Sequence, residues 1–114
     1  MKRQFDFYKK QSLSYFEAFA KKDIKTLNKL FDESVTLRDW DIASSGIKDV
    51  IKFIDSIFIK LETIVIKPIN IAINGNIVFA EIDILIDNKE NLFVVDILEF
   101  NNQGKIISIR AFKG

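Results

Sequence analysis

Leu92-Phe93-Val94-Val95-Asp96-Ile97-Leu98-Glu99-Phe100, then Asn101-Asn102-Gln103-Gly104, then Lys105 to Phe112 (KIISIRAF), read as two long strands joined by a polar turn. Strand side chains alternate between faces with period two. Leu92, Val94, Asp96, Leu98 and Phe100 therefore share one face, and Phe93, Val95, Ile97 and Glu99 share the other. The first face is apolar except for one carboxylate at its centre. A buried acid costs on the order of several kcal/mol unless it is paired or neutralised. Asp96 reads in two ways. A backbone amide or a Lys satisfies it, or it faces an apolar cavity. In the second case desolvation lifts its pKa above the free value of about 3.9, and it stays protonated as a hydrogen-bond donor.

Period two already begins at Leu61. Leu61 to Ile73 reads as a strand in which Pro68 demands an edge position or a bulge. Asn74-Gly75 reads as a two-residue hairpin turn. Ile77 to Ile86 is the next strand, with Glu81 and Asp83 on a solvated face between Ile82 and Ile84. Asp87 to Glu90 turns the chain into the final pair. Before Leu61 the period is helical. Residues 3–22 form a helix with Phe5, Tyr8, Ser12, Tyr15, Phe16 and Phe19 on one face and Lys21-Lys22 in its last turn. Asp23 caps a second helix, Ile24 to Phe31. Asp32-Glu33-Ser34 turns into a short strand, Val35 to Asp39. After a loop from Asp41 to Gly46, Ser44 or Ser45 caps a third helix, Ile47 to Lys60. The predicted fold is an α+β domain: three N-terminal helices packed on one face of a curved, mainly antiparallel four-strand meander.

The chain has 114 residues, enough for one domain and not for two. Hydrophobic residues make up 48% and charged residues 29%, an ordinary balance for a soluble domain. Eleven Phe residues exceed the needs of a solid core of this size and point to a cavity or a subunit interface. The net charge is +1 with no basic stripe, which argues against nucleic acid as a partner. No secretory signal and no membrane-spanning run are present, and Cys is absent; a cytoplasmic location is expected. Histidine is absent too. That excludes Ser-His and Cys-His dyads and argues against the common zinc sites. No metal or cofactor is expected. Any general base must be Asp, Glu, Lys or Tyr.

Three polar positions stand out. Asp96 is one. Asp39, beside Trp40 at the end of the first strand, is either a solvated turn residue or a general base at a pocket mouth shielded by Trp40. Tyr15 in the middle of the first helix is a core tyrosine by position alone.

Taken together, YFEAFAKKDIKTLNKLFDESVTLRDWD (residues 15–41) and VVDILEFNNQGKIISIRAF (residues 94–112) resemble the nuclear transport factor 2-like superfamily. These are cone-shaped α+β domains that include ketosteroid isomerases, SnoaL-like polyketide cyclases and scytalone dehydratase. The resemblance covers nearly the whole chain and implies one such domain over residues 1–114. It implies that Tyr15 matches the oxyanion-hole tyrosine of the isomerases, Asp39 their catalytic base, and Asp96 their protonated acid ahead of Phe100 and Gly104. Trp40, Phe19, Leu98 and Phe100 are expected to contact the ligand. The implied partner is a small apolar molecule with a carbonyl or phenol-like oxygen. The implied assembly is a homodimer through the open sheet face.

Departures are visible. Phe31 and Ile54 stand where some isomerases carry supporting tyrosines, and Trp40 follows the base where proline is common. Histidine-dependent chemistry of the scytalone dehydratase type is excluded. Three readings follow: an isomerase working by enolisation, a cyclase using the same base, or a non-catalytic binding or association module with its cone filled by Phe side chains.

Overall fold

Alternating Ile, Val and Leu from Ile64 onward give long strands, and the helical stripes before it give helices. The computed structural model describes residues 2–114. Their order is α1 (Lys2–Ala20), α2 (Ile24–Leu30), β1 (Phe31–Arg38), β2 (Ala43–Ser45), α3 (Ile47–Lys60), β3 (Ile64–Asn74), β4 (Ile77–Ile86), β5 (Glu90–Phe100) and β6 (Ile106–Lys113). The sheet order is β2-β1-β6-β5-β4-β3. Every neighbouring pair is antiparallel except β1 and β6, which run parallel. The sheet curves around the helices and does not close, giving the α+β cone. No helix among the described residues is long and apolar enough to cross a membrane.

Pro68 sits where it is tolerated, on edge strand β3 at a shift in register with β4. Several local expectations are corrected. The meander has two further strands beside it, because β1 pairs with β6 and the short β2 pairs with β1. Asp32-Glu33-Ser34 lies within β1 as an irregular stretch between Phe31 and Thr36, where Asp32 accepts hydrogen bonds from the Ser34 amide (2.9 Å) and hydroxyl (2.6 Å). That local bonding makes the stretch look like a turn in sequence. Ser44 and Ser45 are drawn into β2, so α3 starts from Gly46 (φ 87°) with no side-chain cap. The hairpin loop is Gly75-Asn76, one residue later than expected, because Asn74 pairs with Ile77. Gly75 alone takes the positive φ (63°) that the first loop position needs. α1 stops at Ala20. Lys22 turns left-handed (φ 58°), and the Asp23 amide closes on the Ala18 carbonyl (2.8 Å). Phe5 is exposed rather than buried.

The narrow end of the cone is solid. Leu98 and Phe100 are fully buried there, and the Phe100 ring packs on Tyr8 with centroids 5.0 Å apart. The turn at this end is held by Asn101, whose side-chain oxygen accepts from the Gln103 amide (2.9 Å) and the Lys105 amide (3.0 Å). Gly104 closes it at φ 77°, and the Phe7 ring of α1 lies 2.6 Å from where a Cβ would stand. Gly104→Ala is expected to lower stability by about 1–2 kcal/mol in urea melts, through backbone strain and displacement of Phe7. In a Phe7→Ala background the loss should shrink to the backbone part alone.

Candidate functional site

At its wide end the cone opens into a cavity of about 380 Å³. Its floor is Asp96. On the two neighbouring strands the residues in register with Asp96 are Ala80 and Ala111. Side chains in register across a sheet point to the same face. Two alanines therefore leave open space around the carboxyl where larger residues would have closed over it. Asp96 is 7% exposed, and burial pushes its pKa up to about 7. Desolvation is the cause, with no opposing hydrogen bond or cation.

Tyr15 reaches the same floor from α1. It is 4% exposed and nested among Phe16 (5.5 Å between centroids), Phe19 (6.0 Å) and Phe31 (6.0 Å). Burial raises its pKa well above the usual tyrosine value, and the nearby Asp96 charge raises it further. Phe31 has no hydroxyl to relay to Tyr15, so nothing in this nest counters the rise. Tyr15 is thus a neutral donor at any physiological pH. No polar side-chain atom among the described residues is sealed away without a partner. Tyr15 and Asp96 both line the cavity.

The mouth is built by the chain leaving β1. Asp39 is half-buried and lines the cavity beside Trp40 and Asp41. Its Oδ1 accepts from the Asp41 and Ile42 amides, both at 2.8 Å, so one oxygen shapes the loop. Oδ2 takes no part in those two bonds. Trp40 is 43% exposed, with the Lys113 ammonium 5.7 Å from its ring centroid. Among the described residues, no cluster of three or more carboxylates comes together to hold a metal ion.

The structure thus brings Tyr15, Asp39, Asp96, Trp40 and Phe19 to one cavity. Leu98 and Phe100 stay out of it. They share the strand face of Asp96, but they lie past it toward the narrow end, where curvature closes the core. The sequence reading missed the walls: Phe53 and Ile57 of α3, and Ile82, Ile84 and Ile86 of β4. Their signal was available, since Ile82, Ile84 and Ile86 alternate against Asp83 and Leu85. It also missed Ala80 and Ala111, whose importance lies in register.

Known proteins match this architecture. A provisionally assigned SnoaL-like polyketide cyclase from Shewanella denitrificans superposes with a TM-score of 0.85 at 14% identity, over 94% of this chain and 90% of that one. A provisionally assigned ketosteroid isomerase from Kribbella flavida gives 0.83 at 14% identity, over 96% and 78%. An LEH-like epoxide hydrolase from M. tuberculosis gives 0.81 at 13%, over 96% and 84%. At these identities the likeness is one of fold. No curated protein matches the sequence. The model of the SnoaL-like domain matches residues 13–109, from the first helix to the last strand, and the chain belongs to that family.

Proposed function

We propose that the protein binds a small apolar molecule through one carbonyl or phenol-like oxygen and transfers a proton at the carbon next to it. The observation that carries this reading is the pair of buried groups, Tyr15 and Asp96, lining one apolar cavity, where burial favours the protonated, donating form of Tyr15 throughout and of Asp96 up to about pH 7. Two donors aimed at one oxygen stabilise the negative charge that develops on an enolate. Asp39, at the mouth, is the base in this reading. Its Oδ2 removes the proton from carbon, the oxygen becomes an enolate held by Tyr15 and Asp96, and protonated Asp39 returns the proton at the same or a conjugated carbon. A cyclase would use the same enolate as its nucleophile.

One observation favours a binding module without turnover. The Asp39 carboxylate already anchors the loop through the Asp41 and Ile42 amides. That role explains an acid at this position without any chemistry.

We also read the outer sheet face as the surface of a homodimer in the cytoplasm. Phe93, Val95, Phe112 and Phe79 are 58%, 38%, 56% and 37% exposed there. Arg38 and Arg110 flank them on one side, and Glu81 and Asp83 stand on the β4 side. Arg110 already pairs with Glu99 on this face at 3.7 Å, so the dimer reading rests on the apolar patch. Light scattering at micromolar concentration should give a dimer mass, and Phe93→Glu with Phe112→Glu should give a monomer.

Asp39→Asn keeps the oxygen that holds the loop and removes the base. It should slow hydrogen–deuterium exchange next to the carbonyl of a cyclic ketone by about 10²-fold or more, with ligand affinity nearly unchanged. Exchange by the native protein no faster than in buffer would leave the binding module as the reading.

Asp96 also predicts pH behaviour. Its folded pKa of about 7 lies above the ordinary 3.8, so between those values the folded state holds a proton that the unfolded state has lost. Stability therefore falls as pH rises from about 4 to 7, by about 4 kcal/mol from this group, and levels off above 7. Asp96→Asn should flatten that slope in denaturant melts and be the more stable form at pH 8. Affinity for a ketone that does not itself titrate should be constant below pH 7 and fall up to about tenfold per unit above it.

A further inference from the structure

We infer that the notch between the ends of β1 and β6 binds an anionic group, a carboxylate or a phosphate, held by Arg38, Arg110 and Lys113 beside the mouth of the cavity. The group is either a free anion or the charged end of a ligand whose apolar part lies in the cavity. Apart from Asp39, the notch uses none of the residues assigned to the ligand oxygen or its neighbouring carbon, so it stands independently of that reading.

The notch exists because the sheet splits. β1 and β6 stay in register as far as Arg38 and Arg110. β6 then continues through Ala111, Phe112 and Lys113 alongside β5, in register with Asp96, Val95 and Val94. β1 does not follow. The Asp39 amide turns to the Ile42 carbonyl (3.0 Å), and the chain folds back into β2. Between the parted ends lies a cleft of about 320 Å³, with Arg38, Asp39 and Trp40 on one side and Arg110 to Lys113 on the other. It shares Asp39, Trp40 and Ala111 with the cavity, so the two adjoin across that partition. From Ala111, beside Asp96, to Lys113 is two residues, or about 7 Å of strand, which a short aliphatic chain covers.

The charge in this cleft is one-sided. Three of its lining residues are cationic and one is acidic, in a chain whose net charge is only +1. Arg38 and Arg110 are in register on neighbouring strands and alternate with the buried Leu37 and Ile109. Both guanidinium groups therefore leave the sheet on the same outer side, and like charges placed so are destabilising unless something offsets them. Arg110 is offset in part by Glu99 at 3.7 Å. Among the described residues, Arg38 and Lys113 have no acid within ion-pair distance. The Lys113 ammonium lies 5.7 Å from the Trp40 ring centroid instead. Asp39, the one acid, has Oδ1 committed to the Asp41 and Ile42 amides. An anion between the arginines supplies the missing countercharge, and the forked N–H groups of a guanidinium match the paired oxygens of a carboxylate or phosphate. Trp40 and Phe112, 43% and 56% exposed, frame the cleft with rings against which a ligand's chain can lie. Phe112 also belongs to the apolar patch of the outer face, so the cleft lies at the rim of that patch.

The test uses the full chain at low ionic strength. Inorganic phosphate is titrated while following Trp40, the only tryptophan, by fluorescence, against chloride at matched ionic strength. Calorimetry then compares a 2-decalone carrying a carboxylate on a five-carbon chain with its methyl ester. Both series are repeated in Arg38→Gln with Lys113→Gln, which alters two exposed side chains. A free-anion site gives saturable phosphate binding that chloride does not reproduce and that weakens at least fivefold in the double variant. A site for the ligand's own charge gives a carboxylate at least tenfold tighter than its ester, with that difference gone in the double variant. In either case Asp39→Asn removes the one opposing charge and should tighten anion binding by about two- to fivefold; no gain would place the anion outside this cleft. The inference is overturned if neither anion binds, if neither loses affinity in the double variant, or if chloride matches phosphate while the ester matches the acid. The oxygen-binding reading is judged separately, by whether unsubstituted 2-decalone binds the native protein more tightly than Asp96→Leu. Phosphate binding does not depend on that answer.

Discussion

The site depends on one unfavourable burial. Asp96 stands in the middle of an otherwise apolar strand face, out of water and without a cation beside it. Burial makes such a group favour its neutral form up to about pH 7, and in that form it is a donor. Everything around it follows the same logic. Ala80 and Ala111 keep the space over it open. The phenylalanines beside Tyr15 keep water out and keep that hydroxyl neutral as well. The Ile-lined wall holds the local dielectric low. Fill the space with one larger side chain, or supply one lysine, and the acid becomes a structural residue.

The mouth works under a different constraint. Asp39 serves backbone geometry with one oxygen and lines the cavity at its mouth. A carboxylate tied to two amides is fixed in direction. If it acts as a base, its aim is set before any ligand arrives. The same tie shortens the path from β1 to β2, so the loop and the base are one local structure.

Where periodicity ruled, the sequence could be read. The strand alternation of Leu92 to Phe100 placed Asp96 inward, and the helical stripe of α1 placed Tyr15 inward. Both inferences need only nearest neighbours along the chain. What could not be read depends on pairing across distance. Nothing in Ala43-Ser44-Ser45 marks an edge strand, because β2 exists only through its ladder to β1. Asp32-Glu33-Ser34 has the local chemistry of a turn and sits in a strand because β6 runs beside it. Leu98 and Phe100 were placed on the right face but at the wrong depth. Period two fixes direction, while the curvature that separates cavity from plugged core belongs to the whole sheet. The alanines beside Asp96 carry no motif, and their meaning is visible only when three strands are in register.

The parallel pairing of β1 with β6 also has a consequence for the order of assembly. β1 finds β2 and α3 close by in sequence, but not its long ladder. Apart from three residues of β2, its ladder partner is β6, and the whole meander lies between them. The β1–β6 ladder spans the longest sequence separation of any strand pair in the sheet. Contacts so distant in sequence form late because they close the longest loops. Leu37 and Asp39 come from one side of that seam and Ile109 and Ala111 from the other. The cavity is therefore the last part of the molecule to acquire its walls.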